Sequence, residues 1–198
     1  MWDKRFQGEE YLFGTDPATF LVDQVRHLTP GARALAVADG EGRNSVFLAE
    51  RGLEVLAMDA SPVGVEKARK LAQDRGVEVD FRVADITQWD WDAEQHDLIV
   101  AVFIQFMGPA LRDAVFAGMK RALRPGGTLL LHGYTPEQLG HGTGGPGQVE
   151  NLYTEALLAD AFADFRIERL TAYERHMDEG RGHSGLSALI DLVAHKPV

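Results

Sequence analysis

The chain has 198 residues, 45% of them apolar, no cysteine and a formal net charge of −10 at pH 7. That length predicts one domain, 1–198, which would bury about 70% of the surface its unfolded chain exposes. The acidity argues against a nucleic-acid backbone as partner, which needs a basic footprint, and the lack of cysteine excludes disulfides, a thiolate nucleophile and cysteine metal ligands.

The first ten residues are charged and carry no apolar signal core. The longest apolar run, Leu98 to Ile104, is far too short to span a bilayer. The expectation is a cytoplasmic protein without a membrane partner, acting as a monomer or homodimer. Residues 1–16 read as an irregular flap rich in aromatics (Trp2, Phe6, Tyr11, Phe13) that ends near Gly14. Pro17 suits the first turn of a helix capped by Asp16, with Phe20, Leu21, Val25 and Leu28 on one face.

Residues 34–59 organise the rest. Ala34 to Ala38 is a short apolar run that suits a buried parallel strand. A turn with Gly40 and Gly42 follows, then a helical stripe from Val46 to Ala49 that stops at Gly52. A second strand, Leu53 to Met58, ends on Asp59. Glycines allow a sharp turn and close approach of a ligand. A helix start offers free amides to an anionic group. An acid at the next strand tip can accept both hydroxyls of a ribose. The combination predicts a nucleoside-type ligand.

Further on, Ser61 caps a helix with Pro62 in its first position and Gly76 at its end. Val77 to Val83 reads as the third strand and leads into Ala84-Asp85-Ile86. Asp85 either faces a ligand or caps the turn from Thr87 to Trp91. Asp97 to Phe103 is the fourth strand, Leu111 to Leu123 a helix, Arg124 to Gly127 a turn and Thr128 to His132 the fifth strand. Tyr134 to Val149 is long and glycine-rich, as binding loops are. Thr154 caps a helix to Phe162. Phe165 to Arg175 and Leu186 to Lys196 then form an antiparallel pair around a turn at Asp178 to Gly182.

The segment Gly40-Glu41-Gly42-Arg43-Asn44-Ser45, Asp59 and the tripeptide Ala84-Asp85-Ile86 resemble the class I S-adenosylmethionine-dependent methyltransferases, in their small thiopurine and tellurite-resistance branch. Ala36 stands where that family usually has an acid, Ala38 where it has the first glycine, and Asp39 where it has a small residue or cysteine. The resemblance implies a Rossmann-like α/β domain, with a seven-stranded mixed sheet, helices on both faces and a C-terminal antiparallel hairpin. It implies S-adenosyl-L-methionine as cofactor, held by Tyr11, Gly14, Ala38, Asp39, Gly40, Gly42, Arg43, Asn44, Asp59, Ala60, Asp85, Ile86 and Val102. The acceptor is expected to be a small molecule, of which a soft sulfur, selenium or tellurium nucleophile needs least help from a base.

Basic residues near this hairpin point to Arg175 and His176 as catalytic groups on the acceptor side, with His132, Tyr134, Arg181 and His183 as further candidates. A non-catalytic cofactor-binding module and a nicotinamide oxidoreductase are the alternatives. The second would want a third glycine where Ser45 stands. The histidines show no tight metal-ligand spacing, so no metal is expected.

Overall fold

A computed structural model describes residues 2–198; Met1, the first residue of the flap, lies outside the described residues. One seven-stranded sheet runs in the order β3-β2-β1-β4-β5-β7-β6. The strands are β1 (Arg33–Val37), β2 (Glu54–Asp59), β3 (Asp80–Val83), β4 (His96–Val102), β5 (Leu123–Tyr134), β6 (Arg166–Asp178) and β7 (Ser184–His195). The helices are α1 (Trp2–Phe6), α2 (Thr19–Asp23), α3 (Arg43–Glu50), α4 (Pro62–Arg75), α5 (Pro109–Ala122) and α6 (Glu155–Ala161). β1 to β5 pair in parallel, while β7 runs antiparallel to both β5 and β6. Among the described residues, no helix is long and apolar enough to cross a membrane.

Side chains alternate across a strand, and here each face has its own core. Leu35, Val37, Ile99 and Leu131 pack with Val115, Phe116 and Met119 of α5 and Leu158 of α6. Ala34, Leu98, Val100 and Leu130 pack on the other face with Phe20, Leu21, Phe47 and Leu48. The buried central strands therefore read as continuous apolar runs. The sheet reverses its order between β1 and β4, and a crevice opens outside their carboxyl ends.

Most expected elements are present, with informative differences. Residues 2–6 form α1 rather than an irregular flap. The helix after Pro17 is only Thr19–Asp23, followed by a 3-10 turn at Val25–His27. Asp16 does not cap it; Ala18 stands there, its amide donating to Asn44 Oδ1 at 2.9 Å. Ser61 caps α4, accepting from the Gly64 amide, and Gly76 ends it in the left-handed region. The third strand is short. The fifth absorbs the expected turn as an irregularity, with His96 opposite Leu123 and Leu98 opposite Thr128. The hairpin strand β6 runs three residues beyond Arg175, so the turn moves to residues 179–183.

Candidate active site

The chain leaves β1 at Val37 and turns through Ala38, whose φ of 49° is left-handed. A side chain there is strained by about 1–2 kcal/mol. The Asp39 amide donates to the Met58 carbonyl at 3.0 Å, and its carboxyl receives the Ser45 amide at 3.2 Å and the Ser45 hydroxyl. Burial pushes the Asp39 pKa up to about 6, against the Ser45 bonds that lower it. At the tip of β2, the two oxygens of Asp59 accept from the Gly40 amide at 2.9 Å and the Ser61 amide at 2.8 Å. Burial raises its pKa and those two amides oppose the rise. Each oxygen keeps a second acceptor site.

A cavity of about 490 Å³ lies over these groups. Of the residues expected at the cofactor, Ala38, Asp39, Gly40, Arg43, Asn44, Asp59, Ala60, Asp85, Ile86 and Val102 line it. Tyr11, Gly14 and Gly42 do not. The Tyr11 hydroxyl donates to the Lys67 carbonyl, and the Lys67 ammonium lies 4.9 Å from its ring centroid. Gly14 lies behind the hairpin turn: a Cβ on it would come 3.9 Å from the Gly180 amide nitrogen. Gly42 faces α4: a Cβ on it would sit 2.6 Å from Ala68 Cβ and 2.8 Å from Ala68 Cα. Its smallness lets α3 approach α4 and leaves ligand access to its neighbours. Asp85 is exposed, and its carboxylate receives the Thr87 amide at 2.8 Å, which holds its pKa below the usual range. It caps the turn and lines the cavity at once.

Arg43 faces inward, and its guanidinium is 2.8 Å from Glu179, both side chains being 7% exposed. Burial would raise the Glu179 pKa; Arg43 and the Thr19 amide, donating at 2.8 Å, more than offset this and hold it low.

Residues from both ends of the chain roof the cavity. The Phe6 ring lies against Gly40 and Gly64, with Trp2 stacked on it at 5.6 Å. Asp3 accepts from the Ser61 hydroxyl at 2.5 Å. The hairpin turn presses on residues 12–14: the Gly182 amide donates to the Leu12 carbonyl at 3.1 Å. A Cβ on Gly180, where φ is +72°, would meet the Phe13 backbone at 2.5 Å. The glycine-rich stretch supplies Gly144, Gly145 and Pro146 to the wall. Gln138 fixes that stretch, donating to Thr143 Oγ1 and the Gly144 carbonyl and accepting from the Ala188 amide. Gln105, which lines the cavity, spends its amide on backbone, bonding Tyr134 N, Tyr134 O and Asn151 O.

The structure does not bring Arg175 and His176 to the cavity lining. Both are exposed on β6, opposite Ser187 and Leu186, and Arg175 lies 3.4 Å from Asp23. Arg181 lies 3.2 Å from Glu10. His132 is buried behind the lining, 2.8 Å from Asp191 and stacked on Phe20. The hairpin residue that does reach the cavity is His183, buried between Phe103 and Phe13 with ring centroids at 4.1 and 4.4 Å. Burial, with Arg43 nearby, pulls its pKa down to about 3. Phe103 itself has a φ of 57°. Away from the cavity, His27, Glu168 and His195 bring three donor atoms within 4.8 Å, which sequence spacing did not foretell; Glu168 bonds both imidazoles and Arg26.

A family described as a methyltransferase domain matches residues 34–127. Ubiquinone biosynthesis O-methyltransferase of Xanthomonas campestris pv. campestris is 38% identical over 104 residues, 52% of this chain and 43% of that enzyme. The chain thus spans less than half the length of this relative. In fold, it is similar to TehB from Haemophilus influenzae, with a TM-score of 0.73 at 18% identity over 90% of this chain and 62% of that one. It is also similar to N-methyltransferase NodS from Bradyrhizobium japonicum WM9 in complex with S-adenosyl-L-homocysteine. There the TM-score is 0.72 at 14% identity over 100% of this chain and 97% of that one. Residues 34–127 thus match a methyltransferase domain, and the relatives they resemble are methyltransferases.

Proposed function

We propose that this chain, working as one domain over 1–198, transfers the methyl group of S-adenosyl-L-methionine to a small-molecule acceptor. One observation carries the reading: Asp59 and Asp85, at the exits of β2 and β3, line the same cavity as the turn from Ala38 to Asn44. Those residues fit the cofactor. Asp59 has acceptor sites left for two ribose hydroxyls, and Asp85 with the Ile86 backbone suits an adenine edge. The turn at Ala38 to Gly40 receives the amino acid end, and Val102 borders the sulfur. The cofactor supplies an already activated methyl group, so the protein's part is to bind, orient and exclude water. The aromatic roof of Trp2, Phe6 and Phe13 does the last. The relative's name, an O-methyltransferase, supports an oxygen acceptor, whereas the soft chalcogen acceptor rests on the sequence resemblance alone.

Calorimetry with S-adenosylhomocysteine and with NAD tests the cofactor, and tritiated methyl transfer to a panel of small acceptors tests catalysis. Binding of NAD without S-adenosylhomocysteine would overturn the reading. Cofactor binding without turnover across the panel would leave a binding module instead of an enzyme.

A further inference from the structure

Outside the cavity, two imidazoles and a carboxylate converge from three elements that the sequence keeps apart. His27 ends the 3-10 turn at Val25–His27, Glu168 lies near the start of β6 and His195 ends β7. One nitrogen of each ring and a carboxylate oxygen all lie within 4.8 Å of one another. Both histidine side chains are 13% exposed and that of Glu168 is 27% exposed. Glu168 occupies an irregularity in the sheet. Ile167 stands opposite Ala194 and Arg169 opposite Val193, so Glu168 is the extra residue of a bulge. A bulge interrupts the ladder and re-aims a side chain. Here the carboxylate comes 3.2 Å from His27 Nε2 and 2.7 Å from His195 Nε2.

Both rings present Nε2 to the carboxylate. The Arg26 Nε–H donates to His27 Nε2 at 3.2 Å, so that nitrogen carries a lone pair. It therefore meets Glu168 Oε1 acceptor to acceptor, an approach that only a nearby cation makes favourable. Thr128 Oγ1, 3.0 Å from His195 Nδ1, can accept from that nitrogen's N–H, which leaves the Nε2 lone pair turned to Glu168. We propose that His27, Glu168 and His195 bind a divalent transition-metal ion of the zinc type, which fastens the N-terminal 3-10 turn to the outer strands β6 and β7. Two neutral imidazoles and one carboxylate suit such an ion, with water as the fourth ligand. At bonds of about 2.0–2.2 Å a tetrahedral ion holds its ligand atoms roughly 3.3–3.6 Å apart, and the separations here lie within about 1.5 Å of that range. Arg26 is the competitor. Its guanidinium pairs with Glu168, but the side chain is 64% exposed and returns to water at little cost. The ion would brace the far end of a segment whose near end, Thr19, is held by Glu179.

The test uses the full chain without an affinity tag, stripped with a chelator and dialysed free of it. Titration calorimetry with Zn2+ should show binding where Mg2+, a hard cation that prefers oxygen ligands, shows none at the same concentration. Zn2+ should raise the melting temperature in a concentration-dependent way. It should also slow hydrogen exchange of the His27 and Leu28 amides, which donate to the Gln24 and Val25 carbonyls. Glu168→Gln and His195→Ala should each weaken Zn2+ binding by about a hundredfold or more, since loss of an outer partner alone costs about 10–100-fold. Arg26→Ala should bind Zn2+ at least as tightly as wild type. If the ligand variants do not fold, the imidazole nitrogen resonances of wild-type, histidine-labelled protein decide: those of His27 and His195 should move together on adding Zn2+. The proposal is overturned if Zn2+ does not bind, if Mg2+ binds as well, or if those two sets of resonances stay still. It is overturned equally if Glu168→Gln or His195→Ala binds Zn2+ as wild type does, which would put the ion on other histidines, or if Arg26→Ala weakens binding.

Discussion

Asp59→Ala should weaken both the fold and the cofactor site, and the two effects can be separated. In the folded chain the carboxylate satisfies two buried backbone donors, the Gly40 and Ser61 amides, at 2.9 and 2.8 Å. Removing it leaves both unpaired, at about 1–3 kcal/mol each. A total near 2–4 kcal/mol follows if water reaches one of them through the cavity. For a chain of this size each kcal/mol moves the melting temperature by roughly 2–4 °C, so a fall of about 5–15 °C is expected without ligand. The same change removes the acceptor of the ribose hydroxyls, so S-adenosylhomocysteine affinity should drop at least about tenfold. Asp59→Asn keeps one acceptor oxygen and should lose less of both. Scanning calorimetry of the free proteins reads the first effect, and titration calorimetry well below the melting temperature reads the second. A melting temperature equal to wild type would refute the structural role. A lowered melting temperature with affinity within twofold of wild type would refute the ribose assignment.

Gly42→Ala should destabilise the chain by about 2–4 kcal/mol in urea unfolding, because its Cβ would overlap Ala68 and its φ is 90°. S-adenosylhomocysteine affinity of the folded protein should stay within about threefold, since Gly42 does not line the cavity. Glu179→Gln should cost about 3 kcal/mol in the same assay by leaving the buried Arg43 without its counter-charge. Between pH 6.5 and about 4, stability should fall with acid. His183 and His96 have folded-state pKa values of about 3 and about 4, below their ordinary 6.5, so the unfolded chain takes up these protons first and their contribution, present above 6.5, is lost on acidification. Asp39, raised from 3.8 to about 6, works the other way, its contribution full below 3.8 and lost as pH rises through 6. The double variant His96→Gln with His183→Gln should therefore flatten or reverse the acid slope seen in urea unfolding across that window. Arg175→Ala and His176→Ala should change stability by less than about 0.5 kcal/mol, both being exposed. Turnover should stay within twofold of wild type, and a larger loss would return those residues to the acceptor site.

The strand, turn, helix and strand from Arg33 to Asp59 were legible because every signal in them is local. Ser61, Pro62 and Gly76 mark α4 for the same reason. The antiparallel hairpin was legible from its short connection, but its turn was not. Alternation continues through Met177, which is buried, so β6 ends later than the charged run Glu174-Arg175-His176 suggests. That slip put Arg175 and His176 in the site and set His183 among several candidates. Gly42 shows a different limit: a glycine signals that something lies close, and only the packing of α3 on α4 says that the neighbour is Ala68. The roof was beyond sequence reading. Ser61 meets Asp3 across 58 residues, and Thr19 meets Glu179 across 160. No local pattern marks such pairs.

Those separations also set an order of events in time. The parallel sheet closes over short crossovers, whereas the roof joins segments at opposite ends of the chain. Loop closure of that length is slow to reward, so the Leu12, Thr19 and Glu179 contacts should form after the sheet, an order that pulsed hydrogen exchange during refolding would check. They also rest on few bonds at the rim, and regions of that kind open without global unfolding. The hairpin turn and the N-terminal segment are fastened to one another over the cavity. Changes at Gly180, Gly182 or Glu179 should therefore loosen the roof without touching the groups beneath it, which hydrogen exchange of the Gly182 and Thr19 amides would read.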